Sequence, residues 1–275
     1  MIKILSKNAA YQKLEVLKTN RAKRTHYGEF IAEGVRNLNE AVKNGWEIVS
    51  WIFPLDTKLS GWAENHINAV KTAENLGLAP QLMRDISGKT DPSELMAILK
   101  MKDPSLDNFN KGVAEEKTNP PLMAMFDRPS NKGNLGTVIR SCDSFGLDGL
   151  IITGHSVDLY DPDVIGATMG SFFSVNTAKP ESNAKLAEWI AERKKSGGLQ
   201  IVATTAHKEK PIDTIDFTMP CLILIGNETD GLSDYLYEIS DVKATIPMAE
   251  TSSASSLNAA CAASVIFYEA ERQRK

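Results

Sequence analysis

Apolar and polar positions alternate between two periods along this chain. From residue 122 onward, short apolar runs at Leu122 to Phe126, Gly149 to Thr153, Leu199 to Thr204, Cys221 to Ile225 and Val242 to Ile246 are separated by stretches of helical spacing. Continuous apolar runs of this length read as strands buried on both faces, so the pattern predicts an open, mostly parallel sheet covered by helices on both sides. The final stretch places Leu257, Ala260, Cys261, Ser264, Val265 and Tyr268 at helical spacing, which predicts an amphipathic helix closing the chain. Before residue 100 the pattern is that of a smaller α/β unit. It runs through a basic amphipathic stretch, a strand at Glu29 to Gly34, a helix from Val35 to Asn44 and an apolar strand at Ile48 to Phe53. Between them the sequence turns polar and turn-rich, through Asp103-Pro104, Lys111-Gly112, a Glu115-Glu116-Lys117 cluster and Asn119-Pro120-Pro121. The expected division is therefore 1–105, a linker over 106–121, and a second domain over 122–275.

The 275 residues, 42% hydrophobic, suit two globular domains with proper cores. No apolar run approaches the roughly 18 residues of a membrane span, and the first residues lack the apolar stretch of a signal peptide, so a cytoplasmic location is expected. Cys142, Cys221 and Cys261 are odd in number and far apart, which predicts reduced core thiols. His26, His66, His155 and His207 stand singly, and no metal site is expected. The net charge of −4 is uneven. The first thirty residues hold Lys3, Lys7, Lys13, Lys18, Arg21, Lys23 and Arg24 against Glu15 and Glu29, a basic end that would suit phosphate.

Neither the Gly-x-Gly-x-x-Gly turn of a dinucleotide fold nor a complete Gly-x-x-x-x-Gly-Lys-Ser/Thr phosphate loop is present, and Gly133-Asn134-Leu135-Gly136 has the wrong spacing. A nicotinamide-dependent oxidoreductase is thereby disfavoured. Three other blocks follow in order: Asn134-Leu135-Gly136-Thr137-Val138-Ile139-Arg140, Gly226-Asn227-Glu228-Thr229-Asp230-Gly231-Leu232, and Ile246-Pro247-Met248 with Ser256-Leu257-Asn258. Alone, each has an ordinary explanation: Asn134 as a helix cap beside a solvated Arg140, the second block as a tight turn, and Ser255 or Ser256 as a cap.

Together the three blocks resemble the motifs of the SpoU (TrmH) branch of the SPOUT RNA methyltransferases, over residues 122 to 275. The segment from Arg21 through Phe30-Ile31-Ala32-Glu33-Gly34-Val35 resembles the ribosomal-protein-like substrate-binding domain of the family's rRNA enzymes. The resemblance implies a trefoil-knotted catalytic domain, S-adenosylmethionine as cofactor, a ribose 2'-hydroxyl of RNA as substrate with rRNA favoured over tRNA, and a homodimer. It implies catalytic roles for Arg140, Asn134, Glu228, Ser256 and Asn258, and a cofactor pocket from Thr204, Gly226, Asn227, Ile246, Met248 and Leu257.

Because guanidinium does not readily lose its proton, Arg140 is expected to grip the adjacent phosphate and orient the 2'-oxygen, with the phosphate receiving the proton. Asn134 and Arg140 are expected to face the same edge of the first strand. Arg21, Lys23, Arg24 and Arg36 are the expected RNA contacts. Two features depart from the family pattern: seven residues, none a Gly, separate Met248 from Ser256, and Gly166 stands where an Arg is common. A protein that binds structured RNA on the same scaffold without methylating it is the alternative reading.

Overall fold

The computed structural model describes residues 1–113 and 119–275; the predicted Glu115-Glu116-Lys117 cluster lies outside the described residues. Residues 1–102 form β1 (Ile2–Ile4), α1 (Ala9–Thr19), α2 (Arg21–Tyr27), β2 (Glu29–Glu33), α3 (Val35–Lys43), β3 (Ile48–Pro54), α4 (Gly61–Ala69), β4 (Leu76–Leu78), α5 (Pro80–Ser87) and β5 (Met96–Lys100). Then follow α6 (Leu106–Gly112), β6 (Leu122–Asp127), α7 (Lys132–Ser144), β7 (Gly149–Thr153), α8 (Pro162–Thr168), β8 (Thr177–Ala178), α9 (Asn183–Gly197), β9 (Gln200–Thr204), β10 (Lys210–Pro211), β11 (Cys221–Ile225), α10 (Asp234–Glu238), β12 (Val242–Thr245) and α11 (Ala259–Gln273).

These elements divide into two compact units, and the division differs from the expected one. The first unit takes 1–102 together with 158–174, and the second takes 103–157 and 175–275. The first unit has a mixed sheet of order β1-β4-β3-β5-β2. Its core includes Phe30, Trp46 and Trp51 from the N-terminal stretch and Tyr160, Ile165, Phe172 and Phe173 from the later one. Trp46 donates its indole N–H to the Phe173 carbonyl at 2.9 Å, and the Trp46 and Phe173 rings meet edge to face at 5.3 Å. Gly88-Lys89-Thr90 ends a helix here: Gly88 caps α5 in the left-handed conformation and Lys89 pairs with Glu33.

Every strand pairing in the second unit's sheet is parallel, in the order β10-β12-β9-β11-β6-β7-β8. From β6 the chain moves outward through β7 and β8, then continues on the other side of β6, so the switch point lies between β6 and β11. Open α/β sheets bind ligands at the carboxyl ends of strands flanking such a point. Part of the expected linker is structured: Ser105 caps α6, and Phe109 is buried with Trp189, Met123 and Ile151.

The closing helix α11 is rotated relative to expectation. Ala260, Ala263, Ile266, Phe267 and Ala270 face the core, whereas Cys261, Val265 and Tyr268 are exposed. Cys261 is therefore not a core thiol. Cys142 and Cys221 are buried, and burial pushes the Cys221 thiol up to about 11. The end of α11 is fastened to neighbouring loops: Gln273 donates to the Ile215 carbonyl, and Arg274 donates to the carbonyls of Phe217, Met219 and Pro120. Among the described residues, no helix is long and apolar enough to cross a membrane.

Candidate active site

Four neighbouring parallel strands, β12, β9, β11 and β6, end along one edge of the second sheet. Register pairs Ala244 with Thr204, Leu224 with Ala203 and Ile225 with Phe126, which brings Ile246, Thr204, Gly226 and Asp127 to that edge. Thr204 donates its hydroxyl to the Leu224 carbonyl at 2.7 Å. Ile246 is half-buried, and Met248 and Leu257 expose apolar surface beyond the strand ends.

Glu228 is the hub of the site. Its Oε2 accepts from the Ser130 N–H at 3.0 Å and the Ser130 hydroxyl at 2.8 Å; its Oε1 accepts from the Asn131 N–H and from Asn134 Nδ2, each at 3.1 Å. Burial pushes the Glu228 carboxyl upward, but the Ser130 backbone N–H, the Ser130 hydroxyl and the Asn134 amide outweigh it, and the group is held below the usual carboxylate range. Asn134 Oδ1 accepts from Asn258 Nδ2 at 3.1 Å, and Asn258 Oδ1 accepts from the Ala260 and Cys261 N–H groups as the N-cap of α11. A continuous relay thus joins all three sequence motifs.

The structure reassigns several expected roles. Asn131, not Asn134, caps α7, and Asn258, rather than Ser255 or Ser256, caps α11. A Cβ at Gly226 would come within 2.6 Å of the Gly231 carbonyl carbon, so the glycine serves the closure of its own loop. Asn227 holds that loop: its Oδ1 accepts from the N–H groups of Thr229 and Asp230, and its Nδ2 donates to the Arg128 carbonyl at 2.7 Å.

Arg140 does not join the relay. At about 100° per residue, six residues carry it roughly 120° around α7 from Asn134. It lies on the exposed face with Thr137 and Ser144, and its guanidinium has no partner among the described residues. The expectation that the two share one edge fails on that angle. Ser256 is likewise exposed.

In the first unit, the expected RNA contact at Arg24 is corrected. Arg24 is 2% exposed; Nε lies 2.8 Å and Nη2 2.7 Å from Asp158, and Nη1 donates to the carbonyls of Leu17 and Lys18. Its donors face the interior of the unit and cannot meet a phosphate in solvent. Lys7, Lys13 and Lys18 are also engaged, with Asp85, Glu29 and the Ser87 carbonyl. Arg21, Lys23 and Arg36 are exposed. At Gly166 an added Cβ would meet open space.

Sequence reasoning missed Ser130 and Asn131, which donate to the hub, and Asp127 and Arg128, which bond to the loop that carries it. Their signal was positional: they follow the C-terminal end of the first strand at the switch point. Among the described residues no group of three His, Cys, Asp or Glu could hold a metal.

Residues 121–268 match the SpoU rRNA Methylase family, and residues 8–97 match the SpoU L30e-like domain. The chain is 40% identical, over 99% of its length and 92% of the relative's, to a 23S rRNA (uridine(2479)-2'-O)-methyltransferase of Streptomyces viridochromogenes. The crystal structure of the SpoU methyltransferase AviRb from that organism, in complex with AdoMet, aligns with a TM-score of 0.86 and 39% identity, covering 97% of this chain and 99% of that one. An AdoMet-bound rRNA methyltransferase from Sinorhizobium meliloti aligns with a TM-score of 0.83 and 25% identity, covering 98% and 97%. Fold and site together define a two-unit α/β protein of the RNA-methylase class. The chain belongs to the SpoU rRNA methylase family.

Proposed function

We infer that this protein is an S-adenosylmethionine-dependent RNA 2'-O-ribose methyltransferase acting on rRNA. The observation that carries the reading is the Glu228, Asn134, Asn258 relay, which ties the three motifs together at the strand edge where a ligand would sit. The site fits the cofactor. Ile246, Met248 and Leu257 offer apolar surface for an adenine, and the ends of β9 and β11 bring Thr204, Gly226 and Asn227 beside them. The bound cofactor supplies a methyl group on a positively charged sulfur. The chain's own residues supply alignment. Glu228, with both oxygens saturated by donors, is a clamp rather than a proton acceptor, and Arg140 is the group that grips the phosphate beside the 2'-oxygen.

The family likeness also supports a homodimer, a trefoil-knotted catalytic unit and a cytoplasmic location. The helices α7 and α11 pack together through Ser141 and Ser264, 2.7 Å apart, and leave Thr137, Arg140, Cys261, Val265 and Tyr268 exposed, a face suited to a second copy. Sedimentation should report a dimer, and a monomer at micromolar concentration overturns that part.

Transfer of labelled methyl to separate unmodified rRNA and tRNA pools tests the function. Label should enter rRNA and vanish in Arg140→Ala, while calorimetry shows cofactor binding retained. Label in tRNA changes the substrate, and full activity in Arg140→Ala removes its catalytic role. No label from folded protein moves the reading to an RNA-binding protein.

A further inference from the structure

β6 ends at Asp127, and the chain turns at Arg128 with φ 49°, a left-handed conformation in which the side chain of an L-residue crowds its own backbone. Across from it Gly154, at φ 62°, leaves the space for the arginine stem: a Cβ there would come within 2.5 Å of Arg128 Cγ. The surroundings hold the strained residue on every side. Its N–H donates to the Thr153 carbonyl at 3.2 Å, and its carbonyl accepts from Asn227 Nδ2 at 2.7 Å. Nε donates to Asp127 Oδ2 at 3.0 Å, Nη2 to the Gly231 carbonyl at 3.0 Å, and Nη1 lies 3.9 Å from the Asp230 carboxylate.

Asp127 completes the grip. It is 3% exposed, accepts the Thr153 hydroxyl at 2.7 Å and takes the Ser233 N–H at 2.9 Å. Two consecutive residues therefore hold the 226–233 loop at Asn227, Gly231 and Ser233, and Glu228 lies between the first two of these points.

We propose that Arg128 is a positioning residue for the methyl transfer: it locks the 226–233 loop against the end of β6 so that Glu228 can reach Ser130, Asn131 and Asn134. This rests on the function proposed above. Direct RNA contact is the less favoured role, because two edges of the guanidinium fork are turned onto the protein and the exposed Asp230 carboxylate would face any approaching phosphate.

Arg128→Met keeps the length of the stem and removes the donors, and Arg128→Lys restores one charge-assisted bond of the several lost. The first readout is amide hydrogen exchange at Thr229 to Leu232, which needs no turnover. The second is kcat per calorimetrically titrated cofactor site, with KM for RNA measured separately and well below the melting temperature.

Expected for Arg128→Met are faster exchange in the loop, kcat lower by about tenfold or more, and KM for RNA within about twofold of wild type, with partial recovery of kcat in Arg128→Lys. Gly154→Ala, which presses on the arginine stem and leaves the guanidinium, should show the same loop exchange in milder form and serves if Arg128→Met does not fold. Unchanged exchange, or unchanged kcat with a raised KM for RNA, overturns the proposal. If wild type transfers no methyl to any RNA, the functional reading fails, while the exchange data still decide whether Arg128 holds the loop.

Discussion

Glu228 accepts four hydrogen bonds and has none to donate, which fixes the orientation of every amide beyond it. Asn134 must present Nδ2 to the carboxylate, so its Oδ1 faces Asn258; Asn258 must donate there and accept from the first turn of α11. Glu228→Gln would place an amide N–H against one of the donors, and kcat for methyl transfer should fall by about 10²-fold. The carboxyl is held below its usual range in the folded protein, so its stabilising contribution is complete above the ordinary carboxylate value and is lost as pH falls through the lowered one. In urea titrations, the stability gap between wild type and Glu228→Gln should be constant above about pH 5 and close on acidification. A gap that widens in acid contradicts this. For Arg24, removing one partner of a buried pair should lower stability by about 3 kcal/mol in Arg24→Ala, whereas Lys23→Ala should stay within about 0.5 kcal/mol and instead weaken RNA binding with a shallower salt slope. Both residues read as basic in sequence. What separates them is Asp158, 134 positions away, which no local pattern connects to Arg24.

At the scale of elements, five of the seven strands in the second unit's sheet were legible within a residue or so, the central ones because a strand buried on both faces is apolar at every position; the two-residue β8 and β10 are too short to leave a pattern. Caps were less so. Asn131 and Asn134 both sit in a loop-to-helix stretch, and only the hydrogen bond from the Asn134 N–H to Asn131 Oδ1 decides between them. The helix α11 was legible as a helix but not in phase, because it carries two apolar stripes; periodicity selected the one containing Cys261, Val265 and Tyr268, of which Tyr268 is 57% exposed. Stripe choice depends on which neighbours are present, and α7 meets α11 beside that stripe, through Ser141 and Ser264 and, at its C-cap Phe145, through the edge of Tyr268. Asn258→Ala removes a cap that accepts two N–H groups and should destabilise by about 1 kcal/mol in denaturant titrations. Combined with Asn134→Ala, it should show a coupling of at least about 0.5 kcal/mol, since the two amides share a hydrogen bond. Additive effects would mean the relay has no energetic weight.

Over the whole molecule, the sequence pointed to two domains joined in series, and the chain is joined differently: it passes between the units after residues 102, 157 and 174. The polar stretch near residue 105 looked like a boundary because it is one, but nothing in the composition of 158–174 marks it as belonging with residues 1–102. Its Tyr160, Phe172 and Phe173 would suit either core. A fragment of residues 1–102 should lack a cooperative urea transition, since Phe30 and Trp46 lose those aromatic partners and Arg24 loses Asp158. A sharp transition in that fragment contradicts the assignment. The same connectivity sets an order of events during synthesis. Domains usually fold from the N-terminus as the chain emerges from the ribosome, yet here the first unit cannot close its core until residue 174 has left the exit tunnel. By then β6, α7 and β7 are already outside, and the nascent chain carries an open aromatic core from the emergence of Phe30 until that of Phe173.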